Sequence, residues 1–207
     1  MMTVVSLTQN KFGANFKKNK HLIFFSAVFI LFFIIGISYI SGKSDLPSAI
    51  SKLFEKFLNE RKSVSFFKIF FSSLLGRLLF ISVMFVFGMS VAGVFVSPIS
   101  ISVLGIYYGV FLGYVYKTYL LTGIGFSALV VLAPSVMYVY AFFLAAREVF
   151  GFSKLFFSSL SKKSPAADYY SAFRLYSAHF VAVLLLTAFS ALLDAVLSFA
   201  FLGLFNF

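Results

Sequence analysis

AHFVAVLLLTAFSALLDAVLSFAFLGL, residues 178–204, is apolar from end to end apart from His179, a few hydroxyls and one carboxylate, Asp194. A run of this length is enough to cross a bilayer, whose hydrocarbon core takes about 20 residues of helix, and the excess over 20 implies tilt. An ionised acid at such a helix centre costs about 2.5–3.5 kcal/mol on insertion, so Asp194 must face protein or water rather than lipid. The other acids, Asp45, Glu55, Glu60, Glu148 and Asp168, all lie in or beside polar stretches.

The rest of the chain has the same character. Of 207 residues, 61% are hydrophobic, and mean hydropathy is +1.03. A soluble domain of this size still exposes about a third of its unfolded surface, too much to keep so apolar a chain in water. Lipid must cover it. Trp is absent, so the interfacial belt falls to Tyr residues near helix ends, among them Tyr39, Tyr116, Tyr119 and Tyr176.

Working outward from residues 178–204, four more spans are expected. Residues 22–40 are uninterrupted apolar sequence behind a basic start (Lys11, Lys17, Lys18, Lys20), longer than a signal-peptide core and without an A-x-A site, so they read as a retained signal-anchor. Residues 76–96 and 101–119 flank Ser97-Pro98-Ile99-Ser100, a short break that predicts a tight hairpin. Residues 126–146 follow the turn Thr122-Gly123-Ile124-Gly125 and contain Pro134, a predicted kink. The fold class is therefore an all-α integral membrane protein of about five transmembrane helices, forming one membrane domain over residues 1–207.

Two polar stretches interrupt the apolar ones. After the helix-starting Asp45-Leu46-Pro47-Ser48, residues Ile50, Leu53, Phe54, Phe57 and Leu58 recur at helical spacing among charges, predicting an amphipathic helix on the membrane surface or a docking face for another protein. Residues 147–177 carry Arg147, Glu148, Lys154, Lys162, Lys163, Asp168 and Arg174, with apolar pairs that rest on the membrane.

Net charge is +11. The cations flank apolar runs, where anionic headgroups and topology account for them, so nucleic acid is not an expected partner. With the N-terminus inside, nine Lys and Arg fall on the inner side and eight on the outer, which decides little. The acid-free basic start dominates, and it places the N-terminus in the cytoplasm and the C-terminus outside.

Cys is absent and His is limited to His21 and His179, excluding thiol chemistry and Cys or His-rich metal sites. No nucleophile elbow, zincin motif, phosphate loop or paired intramembrane acid is present, so no catalytic residue, cofactor or metal is expected. Asp194 is then half of a structural pair, a contact for a partner helix, or a proton or cation site. Arg77 is its candidate partner, at an axial distance of about 9 Å that a long side chain can largely close. Gly105, Gly109 and Gly113 repeat every fourth residue and predict close helix packing, within the chain or in a homo-oligomer, or a groove for a partner's helix. Pro134 is either a tolerated kink or a hinge whose freed carbonyls bind something polar.

The stretch Gly88-Met89-Ser90-Val91-Ala92-Gly93, followed by Pro98, Tyr108-Gly109-Val110-Phe111-Leu112-Gly113, Gly123-Ile124-Gly125-Phe126, Ala133-Pro134-Ser135 and Ser190-Ala191-Leu192-Leu193-Asp194-Ala195, resembles the stage II sporulation protein M family over residues 76–200. Tyr108, Ser135 and Asp194 stand where that family tends to carry Lys, Gln and Glu. The resemblance implies a multi-pass protein of the bacterial cytoplasmic membrane without enzymatic activity. It also implies a scaffold that binds and localises partner membrane proteins, linked to cell-wall hydrolases in sporulation and engulfment. The alternative expectation is the membrane subunit of a transporter served by a separate ATPase.

Overall fold

The structure is a computed structural model that describes residues 2–43, 48–62, 65–161 and 166–204. The expected helix start at Asp45-Leu46-Pro47 and the pair Lys162-Lys163 lie outside those residues. The described chain is helical nearly throughout: α1 Met2–Ser41, α2 Ser48–Lys62, α3 Phe66–Gly88, α4 Gly93–Phe126, a π-helical segment Ser127–Leu132, α5 Ala133–Ser161, α6 Ala166–Phe201 and a closing 3-10 turn Leu202–Leu204. Four stretches are long and apolar enough to cross a membrane: Lys20–Ser41, Phe66–Gly88, Gly93–Phe157 and Tyr170–Phe201. The protein is thus all-α, built on long apolar helices.

The 65-residue stretch would run about 98 Å as one rod, roughly three times the hydrocarbon core of a bilayer. It does not run straight. Leu120 has φ 46° and ψ −123° and breaks α4. Beyond it the chain folds back: a Cβ on Gly123 would lie 2.6 Å from the Val115 carbonyl oxygen. The Tyr108 side chain lies beside that of Ser135, and Ser153 Oγ donates to the Ser90 carbonyl. Those pairs march in opposite directions along the two legs, which makes them an antiparallel hairpin.

This shifts two expected breaks. The reversal falls at Leu120, ahead of the Thr122–Gly125 turn, whose residues are helical. The α3–α4 turn falls at Met89–Ala92, and Pro98 sits inside α4, five residues past its start. Packing explains the second shift. A Cβ at Gly88 would collide with the Tyr176 hydroxyl, and one at Gly93 would meet the Phe87 carbonyl oxygen at 2.7 Å and Ser153 Oγ at 2.8 Å. Only glycine permits the chain to turn that close to α5 and α6. Met89 N donates to the Val86 carbonyl and Ser90 N and Oγ to the Phe87 carbonyl, so the carbonyls at the end of α3 are satisfied within the turn. Pro98 then removes one early bond from α4 without ending it.

The helix expected over 76–96 instead runs Phe66–Gly88, and residues 93–96 belong to α4. Lys68 and Arg77 made its first half read as polar, but Arg77 turns inward to a partner and the helix starts ten residues earlier.

α1 runs parallel to α4, and α3 and α5 run antiparallel to α6. Phe25, Ile81, Ile101, Phe142, Val149, Phe180 and Val183 form one buried cluster at the bundle's middle and in the half away from α2. Phe54 and Leu58 of α2 form another with Phe111, Tyr114, Val115, Phe126, Val130 and Leu202. α2 therefore does not merely rest on a membrane surface. Its apolar face closes over the end of the bundle where α4 reverses, while Lys52, Glu55, Lys56 and Glu60 face outward. Leu53 is the exception, 59% exposed.

Candidate functional site: a buried carboxylate held by two arginines

Asp194 is 2% exposed on α6. Its Oδ2 accepts from Arg61 Nη2 at 2.8 Å, from Arg77 Nη2 at 3.2 Å and from Ser73 Oγ at 2.5 Å. Ser198, one turn on, faces Oδ1 at 3.5 Å. The structure therefore places Arg77 beside Asp194, and it adds a second cation. Both arginine side chains are nearly buried, at 11% and 14% exposure.

Each guanidinium is held by more than the acid. Arg61 donates through Nε to Ser198 Oγ at 3.3 Å and through Nη1 to the Phe57 carbonyl at 3.4 Å, with its carbon 3.7 Å from the Phe57 ring centre. Arg77 donates through Nη1 to Ser190 Oγ at 2.6 Å and lies 5.3 Å from the Tyr138 ring centre. Ser190 in turn donates to the Pro134 carbonyl at 2.7 Å. The network thus ties α2, α3, α5 and α6 together. One carboxylate against two guanidiniums leaves one excess positive charge, and the aromatic faces of Phe57 and Tyr138 offset part of it.

Arg61 escaped the sequence reading because it belongs to a helix whose charges otherwise face outward. The signal was present: Phe54, Phe57, Leu58 and Arg61 share one helical face, spaced at i, i+3, i+4 and i+7, so burial of the phenylalanines carries Arg61 inward with them.

Pro134 is buried just past the π-helical segment Ser127–Leu132. It cannot donate to the carbonyl four residues back, and the wider π turn accommodates that mismatch. Its own carbonyl receives Ser190, so the Pro134 region feeds directly into the Asp194 network. Among the described residues, the buried Ser127 hydroxyl in the π segment makes no hydrogen bond.

Gly105, Gly109 and Gly113 face α1 of the same chain. A Cβ at Gly105 would lie 2.8 Å from the Phe29 carbonyl oxygen, and one at Gly109 would collide with the Phe33 carbonyl oxygen and lie 3.1 Å from Gly36 Cα. At Gly113 the nearest atoms are 3.4 Å away. Gly36, which the tandem repeat does not announce, is the complementary residue: its own Cβ would meet the Ile106 carbonyl oxygen at 2.8 Å. Lys117 finishes the pair by donating to the carbonyls of Ile40 and Lys43, capping the C-terminal end of α1.

A second polar cluster sits toward the other end. Glu148 accepts from Arg147 Nη2 at 2.6 Å and lies 2.9 Å from His179 Nδ1, linking α5 to α6 where both continue past their apolar halves.

Together these features define a class: an all-α protein whose long apolar helices are cross-tied by a buried ion network. Comparison with family models, with curated proteins and with solved structures gives no match.

Proposed function

We propose that the chain is a five-crossing membrane protein that works as a non-enzymatic scaffold, holding partner membrane proteins in place. In this reading the hairpin legs on either side of Leu120 are separate crossings, the N-terminus is cytoplasmic and the C-terminus lies outside. α2 caps the outer end.

The observation that supports scaffolding is the saturation of Asp194. Three donors converge on one of its oxygens, and both arginines are bound to serines or backbone as well. A carboxylate so engaged is a rivet between helices rather than a station for a moving proton, which needs a free acid and a second acceptor. The tie to cell-wall hydrolases rests on the resemblance of residues 76–200 alone.

A second reading, the membrane subunit of a transporter with a separate ATPase, is favoured by the π segment and Pro134 beside the charged network. Interrupted helices with polar groups at their breaks are how transporters build substrate sites.

Photocrosslinkers at exposed positions separate the two. One at Leu53, on the exposed side of α2, is expected to capture secreted wall-cleaving enzymes if the scaffold reading holds. Capture of a soluble ATPase from Tyr170 or Leu175, with substrate flux in proteoliposomes that depends on it, would replace scaffold with transporter.

A further inference from the structure

The polar face of α2 and the first two turns of α3 border an open cleft of about 570 Å³, lined on α2 by Lys52, Glu55, Lys56, Asn59 and Glu60 and on α3 by Lys68 and Ser72. Its size is that of a small-molecule site. Lys56 and Glu60 pair across one turn at 3.9 Å, but both are exposed, so water and salt screen the pair and a ligand can displace it. Three ammoniums against two carboxylates leave the lining one positive charge in excess.

What lies beneath the cleft is as informative. Lys68, Ser72 and Gly76 succeed one another at four-residue spacing down one face of α3. A Cβ built on Gly76 meets nothing within 4 Å, so this face carries an open notch one turn below Ser72. Leu79, three residues on and 63% exposed, borders it, and Leu75, 65% exposed, stands one turn above Leu79. A single ligand laid along this face meets ammonium and hydroxyl groups first, then a gap, then hydrocarbon.

We propose that the cleft is a phospholipid site. The phosphate lies between Lys52, Lys68 and the Ser72 hydroxyl, and one acyl chain descends over the bare surface at Gly76 alongside Leu79. A free phosphate has no use for the notch or the leucines. Glu55 and Glu60 refine the choice: they repel a second negative charge and accept hydrogen bonds from an ammonium. A zwitterionic phosphoethanolamine headgroup fits that arrangement better than phosphoglycerol, which offers no cation. The burial of Phe54 and Leu58 against α4 and the π segment turns the polar face of α2 outward, toward the cleft. The proposal rests on the membrane placement of α3 and is independent of the scaffold role.

The test uses the full-length chain in detergent, titrated with dioleoyl phosphatidylethanolamine, dioleoyl phosphatidylglycerol or inorganic phosphate and read by native mass spectrometry. One tightly held phosphatidylethanolamine is expected, with phosphatidylglycerol weaker and phosphate weaker still. Lys52→Gln and Lys68→Gln should each weaken it by about three- to tenfold, the range for a partly exposed charged hydrogen bond. Gly76→Leu should weaken both lipids, because it fills the notch without touching the charges. Glu55→Gln/Glu60→Gln, at exposed positions, should narrow or reverse the preference for phosphatidylethanolamine. The proposal is overturned if phosphatidylglycerol binds the wild type as tightly as phosphatidylethanolamine. Phosphate binding without lipid binding, or lysine variants that hold lipid as the wild type does, would overturn it equally. Lipid is read on the isolated chain, so failure to capture a partner protein leaves this result unaffected.

Discussion

Replacing Asp194 by Asn should be far more damaging than removing either arginine. The amide side chain keeps an acceptor for one hydrogen bond but leaves Arg61 and Arg77, both now within about 3 Å of the same neutral oxygen, buried and repelling each other. Breaking a buried pair by removing one partner costs about 3–5 kcal/mol, and here a single change strips two cations at once. Arg77→Gln leaves Asp194 with Arg61 at 2.8 Å and Ser73 at 2.5 Å, so the loss is that of one charged hydrogen bond, about 1.5–3 kcal/mol. Arg61→Gln should behave similarly. The combinations carry the diagnostic weight. In the Asp194→Asn background, adding Arg77→Gln removes a stranded cation and should raise stability, whereas in the wild type it lowers it. The triple change Asp194→Asn/Arg61→Gln/Arg77→Gln should approach the wild type. Arg61→Gln/Arg77→Gln, which strands the carboxylate, should lose more than the sum of its parts. The midpoint of unfolding in a denaturing detergent, or the temperature at which half the purified protein aggregates, reads all of these. Coupling in contacting pairs is typically about 0.5–3 kcal/mol, well above the scatter of such assays. If Asp194→Asn is no worse than Arg77→Gln, or if the losses simply add, the three residues do not form one network and the reasoning fails.

Three backbone substitutions test the packing and the reversal. Gly109→Ala should destabilise the protein by about 1–3 kcal/mol, since its methyl would run into the Phe33 carbonyl and backbone cannot yield cheaply. Gly113→Ala, with 3.4 Å available, should be neutral or stabilising by up to about 1 kcal/mol through helix propensity, and equal losses at the two sites in the same unfolding assay would refute the α1–α4 packing. Leu120→Gly should stabilise by about 1 kcal/mol, because Leu120 is 71% exposed and its φ of 46° with ψ of −123° favours a residue without Cβ; a lower midpoint would place the reversal elsewhere.

Much of this was legible from local pattern. Apolar runs as long as 22–40 and 178–204 require lipid wherever they lie in space, because their length and composition alone exceed what a small fold can bury. Asp194 demanded a partner for the same reason: the cost of a lone carboxylate in hydrocarbon does not depend on which helix answers it. The glycine repeat at 105, 109 and 113 announced close packing, since four-residue spacing puts all three on one helix face.

What local pattern did not contain was the identity of neighbours. Arg61 lies 133 positions from Asp194; its place on the Phe54–Phe57–Leu58 face shows that it turns inward with them, but not which residue it meets there. Gly36 has no glycine four residues away and gains its meaning only from the backbone of α4. The turns moved for a related reason. Pro98 and the Gly123–Gly125 pair are the strongest local breakers, yet the chain turns at Met89–Ala92 and Leu120, where Tyr176 and Ser153 crowd the glycines or where Gly123 must reach Val115. Transfer of a segment into lipid is set by that segment's own side chains, so sequence alone decided that this chain is a set of long apolar helices with one acid to neutralise. Which cation neutralises it, and where each helix turns back, depends on contacts between segments far apart in the chain, and only the tertiary structure decided those.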